Sequence, residues 1–344
     1  MSGKVLLGFG DPHCRKEYWY KYGIDKLCDW MDVNLFPEKL PKEKVEAIIV
    51  GDSLDDVQMV PEDSAAAVKF FRYLTSKCST VYAILGNHDY GLEDYKIIDS
   101  AAFLESLGVV VIKNVGPMVT NLGFKIVNIP WLPKTKHNEI NEILKSYTNN
   151  EYDAVTSHWE LEKSIMSEQF VDVHQLNAKA YLCGHIHQHS FNPDYLGSLL
   201  PNNILESKDT NPSIVRMLYK SDEDDSVITK DIPIPSVIHI VEKEITSVND
   251  LDLFERKEDV FYKIMIDSSL DKRLVKVKAK NLGIQVYALD KIKKVKSVET
   301  DNPTTDNKLL KPKTKLEMLK CIQQLLSLSD EDLEVCKQYI ELAS

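Results

Sequence analysis

The side chains best suited to chemistry in this sequence stand in five short clusters, each placed directly after an apolar run. Residues 4–10 lead into Asp11-Pro12-His13, and residues 46–50 lead into Gly51-Asp52-Ser53-Leu54-Asp55. Residues 81–85 lead into Gly86-Asn87-His88-Asp89, residues 152–157 into His158, and residues 178–183 into Gly184-His185-Ile186-His187. Asp, Asn and neutral His offer oxygen and nitrogen donors that suit Mn, Fe, Zn or Mg rather than thiolate-loving metals. Asp11, His13, Asp52, Asn87, His158, His185 and His187 make seven donors. That is too many for one tetrahedral ion and fits two ions sharing a carboxylate. Two ions about 3.5–4 Å apart are the usual device for in-line attack on phosphorus.

Each apolar run reads as a buried strand that stops and hands its polar residues to a loop. Open α/β sheets place their sites beyond the carboxyl ends of the strands, so five such loops can converge there. Helical spacing over 17–33, a proline-flanked loop at 37–41, a helix start at 61–64 with its body over 65–74, and a helix over 92–107 closed by Gly108 separate the early strands. This helix–strand alternation predicts an α/β fold with a mainly parallel sheet. A hairpin over 118–129, continuing into 130–132, predicts a second sheet packed on the first, with a helix over 138–147 and closing strands at 191–195, 197–198 and 213–219.

The acidic turn at 221–225 is expected to mark a subdomain boundary. Beyond it, strands at 236–241, 260–266, 274–277 and 285–288, with helical or turn connections at 248–254 and 268–273, predict a small α+β unit. Residues 300–305, rich in Asp, Asn, Pro and Thr, read as a linker. Two amphipathic helices follow, over 314–326 and 333–342, the second behind a capping-box pattern at Ser329-Asp330-Glu331-Asp332. The expected organisation is therefore 1–222, 230–299, a linker over 300–313, and a helix pair over 314–344 that either folds back on the second domain or docks on another protein's helices.

Composition narrows the classes. At 344 residues two domains, or one with appendages, are expected. Hydrophobic content of 43% supplies ample core. The sequence shows no leader pattern and no apolar run of membrane-spanning length, so a soluble, cytoplasmic chain without membrane contact is expected. The six cysteines carry no CxxC pair, which fits free thiols in a reducing compartment, with Cys14 a buried structural thiol rather than a ligand. A net charge of −11 argues against nucleic-acid binding by bulk electrostatics. Lys272, Arg273, Lys276, Lys278, Lys280, Lys291, Lys293, Lys294 and Lys296, then Lys308, Lys311, Lys313 and Lys315, nonetheless form a basic stretch. Singly these are solvated lysines; together they hint at a phosphate-backbone track or an acidic partner.

Across about the first 220 residues the five clusters, in order, resemble the calcineurin-like metallophosphoesterases, whose pattern is DxH, GDxxD, GNHD, a lone His and GHxH. The resemblance implies a two-sheet sandwich flanked by helices. The unit at 230–299, the linker and the helix pair look like one branch, the SbcD-type DNA nuclease subunit and its shorter phage relatives, and Ser157-His158-Trp159-Glu160 looks like the phage form of the fourth motif. In that branch the small unit caps the nuclease face and helps hold DNA, and the helices grip an SbcC-type coiled-coil ATPase.

What the resemblance implies can be carried over residue by residue. One Mn²⁺ would be held by Asp11, His13, Asp52 and His187, and the other by Asp52, Asn87, His158 and His185, with Asp52 bridging and Mg²⁺ or another divalent ion able to substitute. His88 would face the scissile phosphate, with Asp89 orienting it. Asp55, grouped with these two as catalytic, stands where many nucleases of the family have a second active-site His, so a two-histidine mechanism does not carry over. A homodimer is a family expectation, placed on helices 61–76 and 92–107, although Phe70, Phe71 and Phe103 are equally explained as sheet-facing core.

The leading expectation is an Mn²⁺-dependent nuclease with 3′→5′ exonuclease and single-strand endonuclease activity in a recombination, repair and replication complex. The alternative is a small-molecule phosphomonoesterase, or a cyclic-nucleotide or dinucleotide hydrolase, on the same site. Against it stands the C-terminal third, for which a small-molecule enzyme has no use. A further alternative is a binding module that keeps the fold as a scaffold, and against it stand the full set of ligands and His88.

Overall fold

The computed structural model describes residues 3–15, 17–36, 40–57, 64–93, 96–132, 140–162, 170–208 and 211–292. In chain order the elements are β1 (Gly3–Phe9), α1 (Tyr18–Asn34), β2 (Val45–Val50), α2 (Ala65–Lys77), β3 (Thr80–Ile84), β4 (Tyr90–Glu93), β5 (Lys96–Asp99) and α3 (Ala101–Ser106). Then come β6 (Val109–Ile112), β7 (Gly116–Val119), β8 (Lys125–Ile129), α4 (Ile140–Lys145), β9 (Glu151–Tyr152), β10 (Ala154–Ser157), β11 (Asn177–Ala178) and β12 (Tyr181–Cys183). The last are α5 (Ile204–Ser207), β13 (Ile214–Ser221), β14 (Val227–Pro233), β15 (His239–Ile245), β16 (Val260–Ile266), α6 (Lys272–Leu282) and β17 (Val286–Lys291).

Two sheets form a sandwich, as the sequence predicts. The first has the order β14-β13-β1-β2-β3-β6, and the second β12-β10-β8-β7. Strands β1, β2, β3 and β6 run parallel, and β8, β10 and β12 run parallel in the second sheet. β2 is buried at every position and apolar apart from Glu46, as in a strand covered on both faces. Between the sheets lie Leu6, Ile48, Val50 and Ile84 against Phe124, Ile126 and Leu182. On the other face, α2 turns Ala66, Ala67, Phe70, Phe71 and Leu74 inward at helical spacing, and the Phe70 ring meets Phe9 edge to face. Phe70 and Phe71 are thus core residues and belong to no exposed surface.

Two charged side chains inside the sandwich bridge its layers, although Glu46 Oε2 is left without a hydrogen bond. Glu46 on β2 accepts from Tyr82 Oη and Leu122 N, both at 3.2 Å, pinning the β7–β8 turn onto the first sheet. Lys220 Nζ donates to Asp153 Oδ2 at 3.0 Å and to Gly123 O at 2.8 Å, tying β13 to the second sheet.

The structure corrects several local expectations. Residues 92–107 are not one helix: β4 and β5 pair as a hairpin and only Ala101–Ser106 is helical, opened by Asp99 Oδ1 accepting from Ala101 N. Residues 213–219 do not close the second sheet, because β13 pairs antiparallel with β1, Leu6 opposite Leu218. The acidic turn at 221–225 is the tip of the β13–β14 hairpin inside the first sheet rather than a boundary. Residues 191–195 give a 3-10 turn, His189–Phe191, and a single bridge from Tyr195 to Cys183.

Strands β15, β16 and β17 form a separate, fully parallel sheet with α6. The strand expected at 274–277 is part of α6, where Asp271 caps the N-terminus, Val275 and Ala279 are buried one turn apart, and Gly283 closes the helix at φ +70°. Its Leu-Val-Lys-Val alternation imitates a strand, but Leu274 and Val277 face solvent. Phe261 of β16 is buried in the main core, its ring 5.9 Å from Tyr22 of α1. The linker at 300–313, the helix pair at 314–344, and Lys293, Lys294 and Lys296 lie outside the described residues. No helix among the described residues is long and apolar enough to cross a membrane.

Candidate metal centre

All five clusters meet at the carboxyl ends of their strands. The two sheets touch there through His158, whose Nδ1 lies 2.7 Å from Val50 O at the end of β2. The first two loops run side by side, His13 N donating to Asp52 O and Cys14 N to Ser53 O. His185 N donates to Asp11 Oδ2 at 2.8 Å, which anchors the last loop to the first.

Asp11, His13, Asp52 and His187 place one ligand atom each within 4.8 Å of one another. His13 Nε2 lies 2.9 Å from His187 Nε2 and 3.3 Å from Asp52 Oδ2. The same Asp52 Oδ2 lies 3.2 Å from His158 Nε2. Asn87 Oδ1 is 3.1 Å from His158 Nε2 and 3.0 Å from His185 Nδ1. One carboxylate oxygen of Asp52 therefore sits between two groups of donors, while its other oxygen accepts from His88 N at 2.8 Å. All seven sequence-predicted ligands are brought together.

These residues fit divalent ions. A carbonyl oxygen only accepts, so in the neutral, metal-ligating form His158 Nδ1 carries the hydrogen and Nε2 points its lone pair toward the oxygens of Asp52 and Asn87, the place a proton takes when no ion is bound. His187 does the same, with Nδ1 facing Glu206 Oε1 at 3.1 Å and Nε2 facing His13. Acceptor atoms converging on acceptor atoms are what a shared cation satisfies. Asp11 Oδ1 is buried with no hydrogen-bond donor, and an isolated buried carboxylate oxygen is costly unless it is paired or coordinates a metal.

Electrostatics point the same way. Burial pulls the His158 imidazole down, but Asp52 and Asp11 outweigh it and raise its pKa to about 9. The pocket attracts positive charge. His185 is held neutral, lowered to about 3 by burial and then by the charge on His158. Burial also pushes the Cys14 thiol up, keeping it protonated and inert.

The backbone is bent to serve this convergence. His13, Asp52 and His185 have φ of 43°, 45° and 80°, a conformation that non-glycine residues adopt at a cost of order 1 kcal/mol or more each. A Cβ on Gly86 would collide with Asp52, and one on Gly184 with Asp11, so the motif glycines are demanded by close approach.

His88 stands outside the seven-donor set and groups with His13 and Asp55, one ligand atom of each lying within 4.8 Å of the others. Its Nδ1 lies 3.0 Å from Asp55 O, and its ring packs edge to face on His13 at 4.8 Å. The expectation that Asp89 orients His88 is not met. Asp89 is fully buried and accepts from Gly86 N (2.9 Å), Ser53 N (3.1 Å), Leu54 N (3.2 Å) and Ser100 Oγ (3.1 Å), so it holds two ligand loops together. Burial, then the charge of Asp52, lifts its carboxyl to about 6 against those donors. The Asp55 side chain pairs with Arg15 Nη2 at 2.6 Å and lies 3.6 Å from His13 Nδ1.

Three neighbours of the ligands have no signal in the sequence: Arg15, Glu160, whose carboxylate is 4.0 Å from His185 Nε2, and Glu206. Glu160 lies two residues after His158, but nothing in the local sequence singles it out. Arg273, Lys276 and Lys280 of the basic stretch are exposed on α6, while Lys278 pairs with Asp252 at 2.8 Å and Lys272 Nζ bonds Leu289 O.

Residues 5–189 match the family profile of the calcineurin-like phosphoesterases. No curated protein matches the chain. Among solved structures the chain is similar to phosphopantetheinyl hydrolase from Mycobacterium tuberculosis, at 13% identity over 54% of this chain and 83% of that one, with a TM-score of 0.33.

Proposed function

The chain belongs to the calcineurin-like phosphoesterases, a family of metal-dependent phosphoester hydrolases, and on that premise we propose that it is an Mn²⁺-dependent DNA nuclease. In this reading it has 3′→5′ exonuclease and single-strand endonuclease activity and is the nuclease subunit of an SbcC/SbcD-type recombination and repair complex. The observation that carries the reading is the unit appended to the phosphoesterase sandwich: a parallel three-stranded sheet whose helix α6 exposes Arg273, Lys276 and Lys280 in an acidic chain. Exposed cations of this kind suit a polyanionic backbone. A small phosphomonoester has no need of them.

Asp11, His13, Asp52 and His187 would hold one ion, and Asp52, Asn87, His158 and His185 the other. When bound, such ions lower the pKa of water and clamp phosphate oxygens. The chain's own residues do the rest. His158 and His187 present bare Nε2 atoms because their Nδ1 atoms are engaged. His88, anchored through Nδ1, keeps Nε2 available to hold a proton for the leaving oxygen. Asp89 keeps the Asp52 and Asn87 loops in register.

Residues 314–344 are proposed as the docking segment for the coiled-coil ATPase, and 300–313 as its tether. Deleting 306–344 is expected to leave nuclease activity intact and to abolish ATPase binding. The homodimer is tested by light scattering, where only monomer at micromolar concentration would remove it.

The decisive experiment compares hydrolysis of end-labelled duplex and single-stranded DNA with that of a chromogenic phosphomonoester, in Mn²⁺, by the wild type and His88→Asn. DNA cleavage lost in the variant supports the nuclease. Phosphomonoester turnover without DNA cleavage moves the protein to the small-molecule branch.

A further inference from the structure

We propose that Glu206 is the positioning residue for His187, and that the three-stranded unit holds Glu206 in place, so that docking of this unit sets the geometry of one metal site. The inference rests on the two-ion reading above. Glu206 lies in no motif; it sits on the single turn α5, in the irregular stretch between Ser198 and β13.

Its carboxylate is saturated with donors. Oε1 faces His187 Nδ1 at 3.1 Å and accepts from Asn203 Nδ2 at 2.6 Å. Oε2 accepts from Asn202 N at 2.7 Å and Ser198 Oγ at 3.1 Å. A carboxylate so placed can only accept, which puts the hydrogen of His187 on Nδ1 and turns Nε2 toward His13 and Asp11. Carboxylates behind ligating histidines fix tautomer and ring orientation in this way. The Asn202 amide lies 3.2 Å from the same Nδ1, and its oxygen is buried without a donor. Turned over, that amide would give the Nδ1 hydrogen a second acceptor.

The turn carrying Glu206 is gripped from the other side. Tyr287 Oη of β17 donates to Asn202 O at 3.0 Å, and Ser207 Oγ donates to Ile240 O of β15 at 3.2 Å. Asn203, the cap of the turn, accepts from Leu205 N and Glu206 N at 2.8 and 3.1 Å. Residues 202–207 are therefore an adaptor, with a metal-ligand histidine on one side and the three-stranded sheet on the other.

The test is Mn²⁺ binding to the full chain, by calorimetric titration, for the wild type, Glu206→Ala, Glu206→Gln and Tyr287→Phe, with circular dichroism and thermal unfolding to establish folding. The wild type is expected to take up two ions. Glu206→Ala should weaken one of them about 10- to 100-fold and leave the other unchanged. Glu206→Gln keeps an acceptor for Nδ1 and should lose less, and it carries the test if the alanine variant does not fold. Tyr287→Phe should weaken the same ion by a smaller factor.

A folded Glu206→Ala protein binding two ions with wild-type affinity overturns the inference, as does equal loss of both ions. Unchanged binding in Tyr287→Phe overturns the part assigned to the three-stranded unit. A wild type that binds fewer than two ions overturns the two-ion reading itself, and the inference with it.

Discussion

The His88 ring hangs from the main chain of Asp55, its Nδ1 3.0 Å from the carbonyl oxygen of that residue. The anchor is indifferent to the Asp55 side chain, which is engaged by Arg15. His88→Asn should therefore lower kcat about 10²- to 10⁴-fold, the range of a lost general acid, with Mn²⁺ affinity and unfolding midpoint unchanged. Asp55→Asn, assayed at saturating Mn²⁺, should cost far less. Equal losses in the two variants would show that the Asp55 carboxylate itself takes part in the chemistry.

Asp89 leads to a different outcome, since all four of its partners are donors. An amide offers one oxygen, so Asp89→Asn must turn an NH₂ group against two N–H groups or against an N–H and the Ser100 hydroxyl. The cost should be about 3 kcal/mol for buried donors left facing a donor. Because the loops it ties carry Asp52 and Asn87, Mn²⁺ affinity should fall together with the unfolding midpoint. A variant that lost activity at wild-type stability would return Asp89 to the role of orienting His88.

Metal removal should be visible in stability. Asp11 and Asp52 are buried within one pocket; burial and the charge of Asp52 raise the Asp11 carboxyl, whereas at Asp52 burial is outweighed by the histidines His158, His13 and His88, which hold the carboxyl low. An ion bound only by the folded state adds about 2.7 kcal/mol at a hundredfold excess over its Kd. The chelated protein should unfold at lower temperature, and Mn²⁺ should restore the midpoint while NaCl at equal ionic strength does not. A midpoint indifferent to Mn²⁺ would contradict the assignment of the site.

What the sequence made legible was the set of strand ends. Asp11, His13, Asp52, Asn87, His158, His185 and His187 each follow an apolar run, and parallel strands leave their carboxyl ends on one edge. The support around them was not legible. Glu206 acts on His187 across a loop with no periodicity, and Asp89 is adjacent to His88 in sequence while its carboxylate points at the Asp52 loop. Sequence adjacency had suggested the wrong partner. Local pattern also failed at Leu274 and Val277, where strand-like alternation lost to the Asp271 cap and the Gly283 stop, and at 92–107, where a short hairpin precedes the helix. Pairing of β13 with β1 depends on which sheet edge is open, which no window of sequence records.

Glu46 supplies a stability effect with a defined direction in pH. Burial lifts its carboxyl above the ordinary range, and hydrogen bonds from Thr120, Leu122 N, Tyr82 and Asn121 N recover only part of the shift. The folded protein thus holds this proton more tightly than the unfolded chain, so stability falls as pH rises from the unfolded carboxylate value, about 4.3, through the higher folded value. Above that window the penalty is constant. Gln at this position mimics the protonated form, since its amide oxygen still accepts from Tyr82 Oη and Leu122 N. Glu46→Gln should match the wild type in unfolding midpoint at about pH 4 and exceed it progressively as pH rises, reaching a plateau once Glu46 is ionised in the folded wild type. A pH-independent difference would trace the effect to packing, and a variant less stable at neutral pH would mean that the ionised carboxylate is held in place more strongly than Thr120, Leu122, Tyr82 and Asn121 account for.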